Sequence, residues 1–67
     1  MGNYKLKIKE IRVRKGMTQK ELAKKAGVSR SYFGDLENGK YDIKLSLFVK
    51  ISNILEVDLF DLIEINT

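Results

Sequence analysis

Thr18-Gln19-Lys20-Glu21-Leu22-Ala23-Lys24-Lys25-Ala26-Gly27-Val28-Ser29 encodes two helix ends and the turn between them. The Thr18 hydroxyl can accept from the backbone N–H of Glu21 while the Glu21 carboxylate accepts from the N–H of Thr18, a reciprocal capping box that starts a helix. Leu22, Ala23 and Ala26 fall on one side of that helix, and Gly27 ends it because glycine adopts positive φ at little cost. Ser29 is a natural cap for the next helix, whose buried side is Phe33 and Leu36 and whose stop is Asn38-Gly39. Ala23 is small where two helices joined by so short a turn must approach closely.

Outward from this unit the periodicity continues. Ile8 and Ile11 share a helical face and Lys15-Gly16 supplies a basic last turn and a stop, predicting a helix over about residues 6–15. Leu45, Phe48, Val49, Ile51, Ile54 and Leu55 cover so much of a helix surface that this segment must be central to the core. Asp58-Leu59-Phe60-Asp61-Leu62-Ile63 predicts a fifth helix, opened by the Asp58 carboxylate. At the two ends the period changes to two: Tyr4, Leu6 and Ile8 alternate with Lys5, Lys7 and Lys9, and Ile63-Glu64-Ile65 alternates likewise. Part of Asn3–Lys7 is therefore expected to pair with residues 63–66 as short strands, with the first helix beginning near Leu6 or Lys7. The predicted fold class is all-α, a compact five-helix domain over residues 1–67 with a helix-turn-helix at about 18–38 and a short terminal β-pairing.

Composition narrows the function. A 43% hydrophobic and 33% charged chain of 67 residues fits one small folded domain. All thirteen lysines and arginines lie within residues 1–50 beside five acids, a net of +8, whereas residues 51–67 carry four acids and no base, a net of −4. Such asymmetry is expected when one face meets phosphates and another does not. With no cysteine or histidine, disulfides, thiol nucleophiles, imidazole catalysis and the common zinc sites are excluded, and no glycine-rich phosphate loop is present. No apolar run reaches the length of a signal peptide or membrane span, so a cytoplasmic protein without membrane, metal, cofactor or small-molecule ligand is expected.

The chain resembles the phage-repressor and Cro-like, or xenobiotic-response-element, family of helix-turn-helix regulators from about Ile8 to Ile63. The resemblance rests on Ile8-x-x-Ile11-Arg12, Gly16-Met17-Thr18-Gln19-x-Glu21-Leu22-Ala23, Gly27-Val28-Ser29 and Leu36-Glu37-Asn38-Gly39-Lys40, and on Leu45-x-x-Phe48-x-Lys50-Ile51-x-x-Ile54-Leu55-x-Val57. It implies a lambda-repressor-like fold and a sequence-specific transcriptional regulator, a repressor or autoregulator, that binds double-stranded palindromic DNA as a homodimer through the major groove.

The resemblance also assigns roles. Arg30, Ser31, Tyr32 and Asp35 are placed at base edges; the Arg30 fork matches guanine, and Asp35 either accepts from cytosine or orients Arg30. Thr18 and Gln19 are placed at phosphate, with Gln19 also bracing the recognition helix, and Asn38, Lys40 and Lys44 at the phosphates of the second strand. Arg12 and Glu37 match a structural pair. Three positions depart from the pattern: Ile43 and Lys44 stand for the usual proline and capping serine, leaving Asp42 as an alternative cap; Gly34 lies within the recognition helix; and Glu56 replaces a glycine, which predicts a different turn conformation there.

Ile54, Val57, Leu59, Phe60, Leu62, Ile63 and Ile65 are more apolar residues than a small domain can bury, so a second copy is expected to cover some of them. Leu59, Phe60 and Ile63 are the predicted dimer interface, as neighbours on a helix opened by Asp58. The competing class is a protein-interaction module, antitoxin-like or anti-repressor, built on the same fold; RNA binding would more typically show aromatic platforms on strands or a GXXG clamp.

Overall fold

The computed structural model describes residues 3–66. Strand β1 (Asn3–Leu6) is followed by helices α1 (Ile8–Arg14), α2 (Gln19–Ala26), α3 (Arg30–Glu37) and α4 (Leu45–Leu55), a single 3-10 turn (Leu59–Leu62) and strand β2 (Ile63–Asn66). The capping box forms as its residues dictate: the Glu21 N–H donates to Thr18 Oγ1 and the Thr18 N–H to Glu21 Oε1, each at 3.1 Å. The Thr18 N–H and hydroxyl hold the Glu21 carboxyl below the usual carboxylate range. That stabilisation is present above the carboxyl's unfolded-state range and is lost as pH falls through its lowered folded value. Ser29 Oγ accepts from the Tyr32 N–H at 3.1 Å and so caps α3.

All four α-helices close alike. An N–H two or three residues past each helix reaches the carbonyl five residues back: Met17 to Arg12 at 3.0 Å, Val28 to Ala23 at 3.0 Å, Lys40 to Asp35 at 2.9 Å and Val57 to Ser52 at 3.0 Å. The closure needs one left-handed residue. Gly16, Gly27 and Gly39 supply it with φ between 75° and 76°, and at the end of α4 Glu56 supplies it with φ 58°. The expectation of a different turn at Glu56 is thus corrected: the glycine-type conformation is kept, because the Val57 bond to Ser52 requires it.

β1 and β2 pair antiparallel, with Tyr4 opposite Ile65, Lys5 opposite Glu64 and Leu6 opposite Ile63. Alternation puts Tyr4, Leu6, Ile63 and Ile65 on one face, where Leu6 and Ile63 pack on the core. This pairing explains two corrections. Helix α1 begins at Ile8 and not at residue 6, since Leu6 lies in the strand and the Lys7 N–H donates to the Leu62 carbonyl at 2.7 Å. The fifth helix is only a 3-10 turn, because Ile63 is already drawn into extended backbone, and the α-helices number four among the described residues. The Asp58 N–H donates to the Asp61 carboxylate at 3.2 Å within that turn.

Helix α4 starts at Leu45 after Lys44, which has no side-chain cap. Asp42 does not cap it, for its carboxylate accepts from the Tyr4 hydroxyl at 2.7 Å. The core joins Ile8 and Ile11 of α1, Leu22, Ala23 and Ala26 of α2, Phe33 of α3, Phe48, Ile51 and Leu55 of α4, and Leu62. Helix α2 packs on both α3 and α4.

Glu56→Gly should stabilise the fold by about 0.5–1 kcal/mol, the left-handed penalty of roughly 1–2 kcal/mol less the larger unfolded-state entropy of glycine. A thermal melt followed by circular dichroism would show a Tm higher by a few degrees; an unchanged or lower Tm would mean that Glu56 is unstrained.

Candidate nucleic-acid interface

The orientation of α3 is set from its inner side by a buried polar knot. Arg12 Nε donates to Glu37 Oε2 at 2.7 Å, Arg12 Nη2 to Glu37 Oε1 at 3.4 Å and Arg12 Nη1 to the Met17 carbonyl at 2.7 Å. Gln19 Nε2 adds a bond of 2.8 Å to Glu37 Oε1. The Arg12 and Glu37 side chains are 9% and 1% exposed, so the pair lies almost out of water. Among the described residues no buried side-chain nitrogen or oxygen lacks a partner. Removing one member would strand the other charge, which in buried pairs typically costs about 3–5 kcal/mol. Arg12 is thereby a structural residue, as the resemblance implied, and Gln19 braces α3.

The outer side of α3 carries the residues expected at base edges. Phe33 and Leu36 point inward, which by helical spacing turns Ser31 and Asp35 outward, with Arg30 and Tyr32 on opposite flanks. Arg30 and Ser31 are exposed, Tyr32 and Asp35 half-buried. Of the two readings of Asp35, orientation of Arg30 finds no support in the free protein. Ion pairs among the described residues are Lys7–Glu10, Arg12–Glu37 and Arg14–Glu10, and Arg30 is in none of them.

Gly34 has no need of positive φ, and a Cβ there would stand 3.7 Å from the Gln19 amide nitrogen, an ordinary contact. The spacing between α3 and Gln19 therefore admits a methyl group.

Asn38, Lys40 and Lys44 are exposed beyond the end of α3. Lys40 Nζ lies 5.6 Å from the Tyr41 ring centroid, and the Tyr41 and Tyr32 rings are 6.0 Å apart at 31°. Sequence reasoning missed Tyr41; its signal was an aromatic in a polar loop, outside any apolar period and directly after a lysine. It also missed the partnership of Tyr4 with Asp42, for which the sequence holds no local signal. The Asp42 carboxylate accepting its hydrogen bond pushes the Tyr4 hydroxyl above the usual phenol range.

Phe60 is 83% exposed, whereas Leu59 and Ile63 are half-buried and packed on the core. The three do not share a helical face as expected, because Ile63 lies in β2. Phe33 and Phe48 are buried in the core. No group of three or more acidic, histidine or cysteine side chains converges as a metal site requires among the described residues, and no helix there is long and apolar enough to cross a membrane.

A family model described as helix-turn-helix matches residues 8–62. An uncharacterised HTH-type transcriptional regulator of Archaeoglobus fulgidus is 46% identical over 56 residues, spanning 84% of this chain and 80% of the relative. Among solved structures, the restriction-modification controller protein C.AhdI from Aeromonas hydrophila is similar with a TM-score of 0.77 at 31% identity, over 82% of this chain and 83% of that one. The master regulator for biofilm formation SinR, solved in complex with DNA, gives a TM-score of 0.74 at 34% identity, over 81% of this chain and 87% of that one.

Gly34→Ala is expected to stabilise the protein by up to about 1 kcal/mol, the difference between the two residues inside a helix. The readout is a higher urea midpoint at unchanged slope. A lower midpoint would mean that Gln19 and α3 pack too closely for a methyl group.

Proposed function

The chain belongs to the Cro/C1-type helix-turn-helix family of DNA-binding transcriptional regulators, and from that premise we propose that α3 reads a palindromic operator in the major groove as part of a homodimer. The observation that carries this reading is the one-sided restraint of α3. Its inner side is fastened by Arg12, Glu37 and Gln19, and its outer side presents Arg30 and Ser31 exposed, with Tyr32 and Asp35 half-buried beside them.

In this reading Arg30 donates to guanine O6 and N7, and Ser31 and Asp35 face neighbouring bases, with Asp35 accepting from cytosine N4. Tyr32 flanks them. On binding, the Thr18 hydroxyl turns its hydrogen from the Glu21 carboxylate to a phosphate while still accepting from the Glu21 N–H; Gln19 keeps one amide hydrogen for the same purpose, beside the N–H groups of the first turn of α2. Asn38, Lys40 and Lys44 hold the second strand's backbone. The whole chain acts as one DNA-binding domain in the cytoplasm. Dimerisation is anchored by Phe60, a large apolar side chain in water, with the accessible edges of Leu59 and Ile63 beside it.

Two measurements test this reading. On an operator selected from random-sequence duplexes, Arg30→Ala should weaken binding by about 1–3 kcal/mol and relax preference at one position of each half-site. Lys40→Ala should weaken binding to all sequences alike and lower the salt slope by about one. If Arg30→Ala changes neither affinity nor preference, α3 is not the reading helix.

Sedimentation equilibrium at micromolar concentration should show a dimer that Phe60→Asp converts to a monomer with the helical circular dichroism intact. A wild-type protein that stays monomeric, alone and on a two-half-site duplex, would overturn the dimer.

A further inference from the structure

The loop between α3 and α4 is tied by backbone at its two ends, where the Lys40 N–H donates to the Asp35 carbonyl and the Lys44 carbonyl accepts from the Phe48 N–H, and is held by side chains between them. Among the described residues, the N–H groups of Tyr41, Asp42, Ile43 and Lys44 donate no bond to any other backbone group. Three side-chain ties hold this stretch. Ile43 packs on the core, Tyr41 lies against Tyr32, and Asp42 accepts from the Tyr4 hydroxyl at 2.7 Å across 38 residues of sequence. Tyr4 is itself fixed, since its backbone pairs with Ile65 in the terminal sheet.

We propose that Tyr4 is a positioning residue for DNA binding: by holding Asp42 to β1 it orders the loop that carries Lys40 and Lys44 and draws an acidic group away from the phosphates those lysines meet. The inference rests on the reading of this loop as a phosphate clamp. Two effects act together. A loop ordered before binding loses less conformational entropy when its lysines engage. Asp42 stands between the two lysines in sequence, and a free carboxylate there would repel the same phosphates; hydrogen-bonded to Tyr4, it is anchored at the strand, with part of its charge met by the hydroxyl.

Phosphate contacts are independent of sequence, so a mixed-sequence duplex of about 20 base pairs at low salt serves as the probe. Tyr4→Phe removes the hydroxyl and keeps the ring. It should weaken binding about 3–10-fold, the scale of one hydrogen bond, and lower the salt slope, at a temperature far below the unfolding transition. In an Asp42→Ala background Tyr4→Phe should have no further effect, whereas in Asp42→Asn, which keeps an acceptor oxygen, the dependence on Tyr4 should persist. A purely structural tie would lower the Tm of Tyr4→Phe and leave affinity and salt slope unchanged, and that result overturns the proposal. If the wild type binds, Lys40→Ala weakens it and Tyr4→Phe does not, the positioning role fails and the clamp stands. If the wild type does not bind the duplex, or Lys40→Ala binds equally well, the clamp fails and the role of Tyr4 fails with it.

Discussion

The ion pair of Arg12 and Glu37 is the constraint from which the rest of the arrangement follows. It ties the body of α1 to the last residue of α3, and through the Met17 carbonyl and Gln19 it takes in the α1–α2 turn and the start of α2. A buried ion pair is weak evidence for stability, because desolvation offsets most of its attraction. Its effect here is geometric. Four directional hydrogen bonds hold the last residue of α3 against α1, the α1–α2 turn and the start of α2, while Phe33 and Leu36 in the core decide which side chains of α3 face outward.

Local chemistry was legible in the sequence wherever neighbouring residues decide the outcome. Thr18 and Glu21 announce the start of α2, Ser29 the start of α3, and Gly16, Gly27 and Gly39 the three left-handed closures. The alternation of Tyr4, Leu6, Ile63 and Ile65 was enough to foresee the terminal pairing. What escaped the sequence was the reach of that pairing. Leu6 reads as the first residue of an apolar helix face and Ile63 as the last residue of another, and each is claimed by the strand because its partner comes from the other end of the chain. Glu56 misled for a related reason. A non-glycine residue argues locally against positive φ, yet the bond from Val57 to Ser52 and the packing of α4 hold it there.

The candidate site divides along the same line. The outward set on α3 follows from helical spacing once Phe33 and Leu36 are assigned to the core, and the pairing of Arg12 with Glu37 follows from the family pattern. The loop after α3 does not. Its conformation depends on Tyr4, Tyr32 and Tyr41, which lie in three separate segments and bear no spacing relation to one another. Asp42 illustrates the limit: next to a helix start it reads as a cap, and only the fold reveals that a strand near the other end of the sequence has taken its carboxylate.

The pairing of β1 with β2 bears on the order in which the molecule is made. β1 leaves the ribosome before β2, so Tyr4 and Leu6 wait unpaired while the helices between the two strands are synthesised and assemble. Closing a loop that encloses nearly the whole described chain brings an entropy loss that only a preformed helical body reduces, by holding the two strand sites near each other. Pairing of the two strands therefore draws on the helical body for its closeness. Until it forms, the Lys7 N–H and the Leu62 carbonyl, which bond each other in the finished fold, must be satisfied by water.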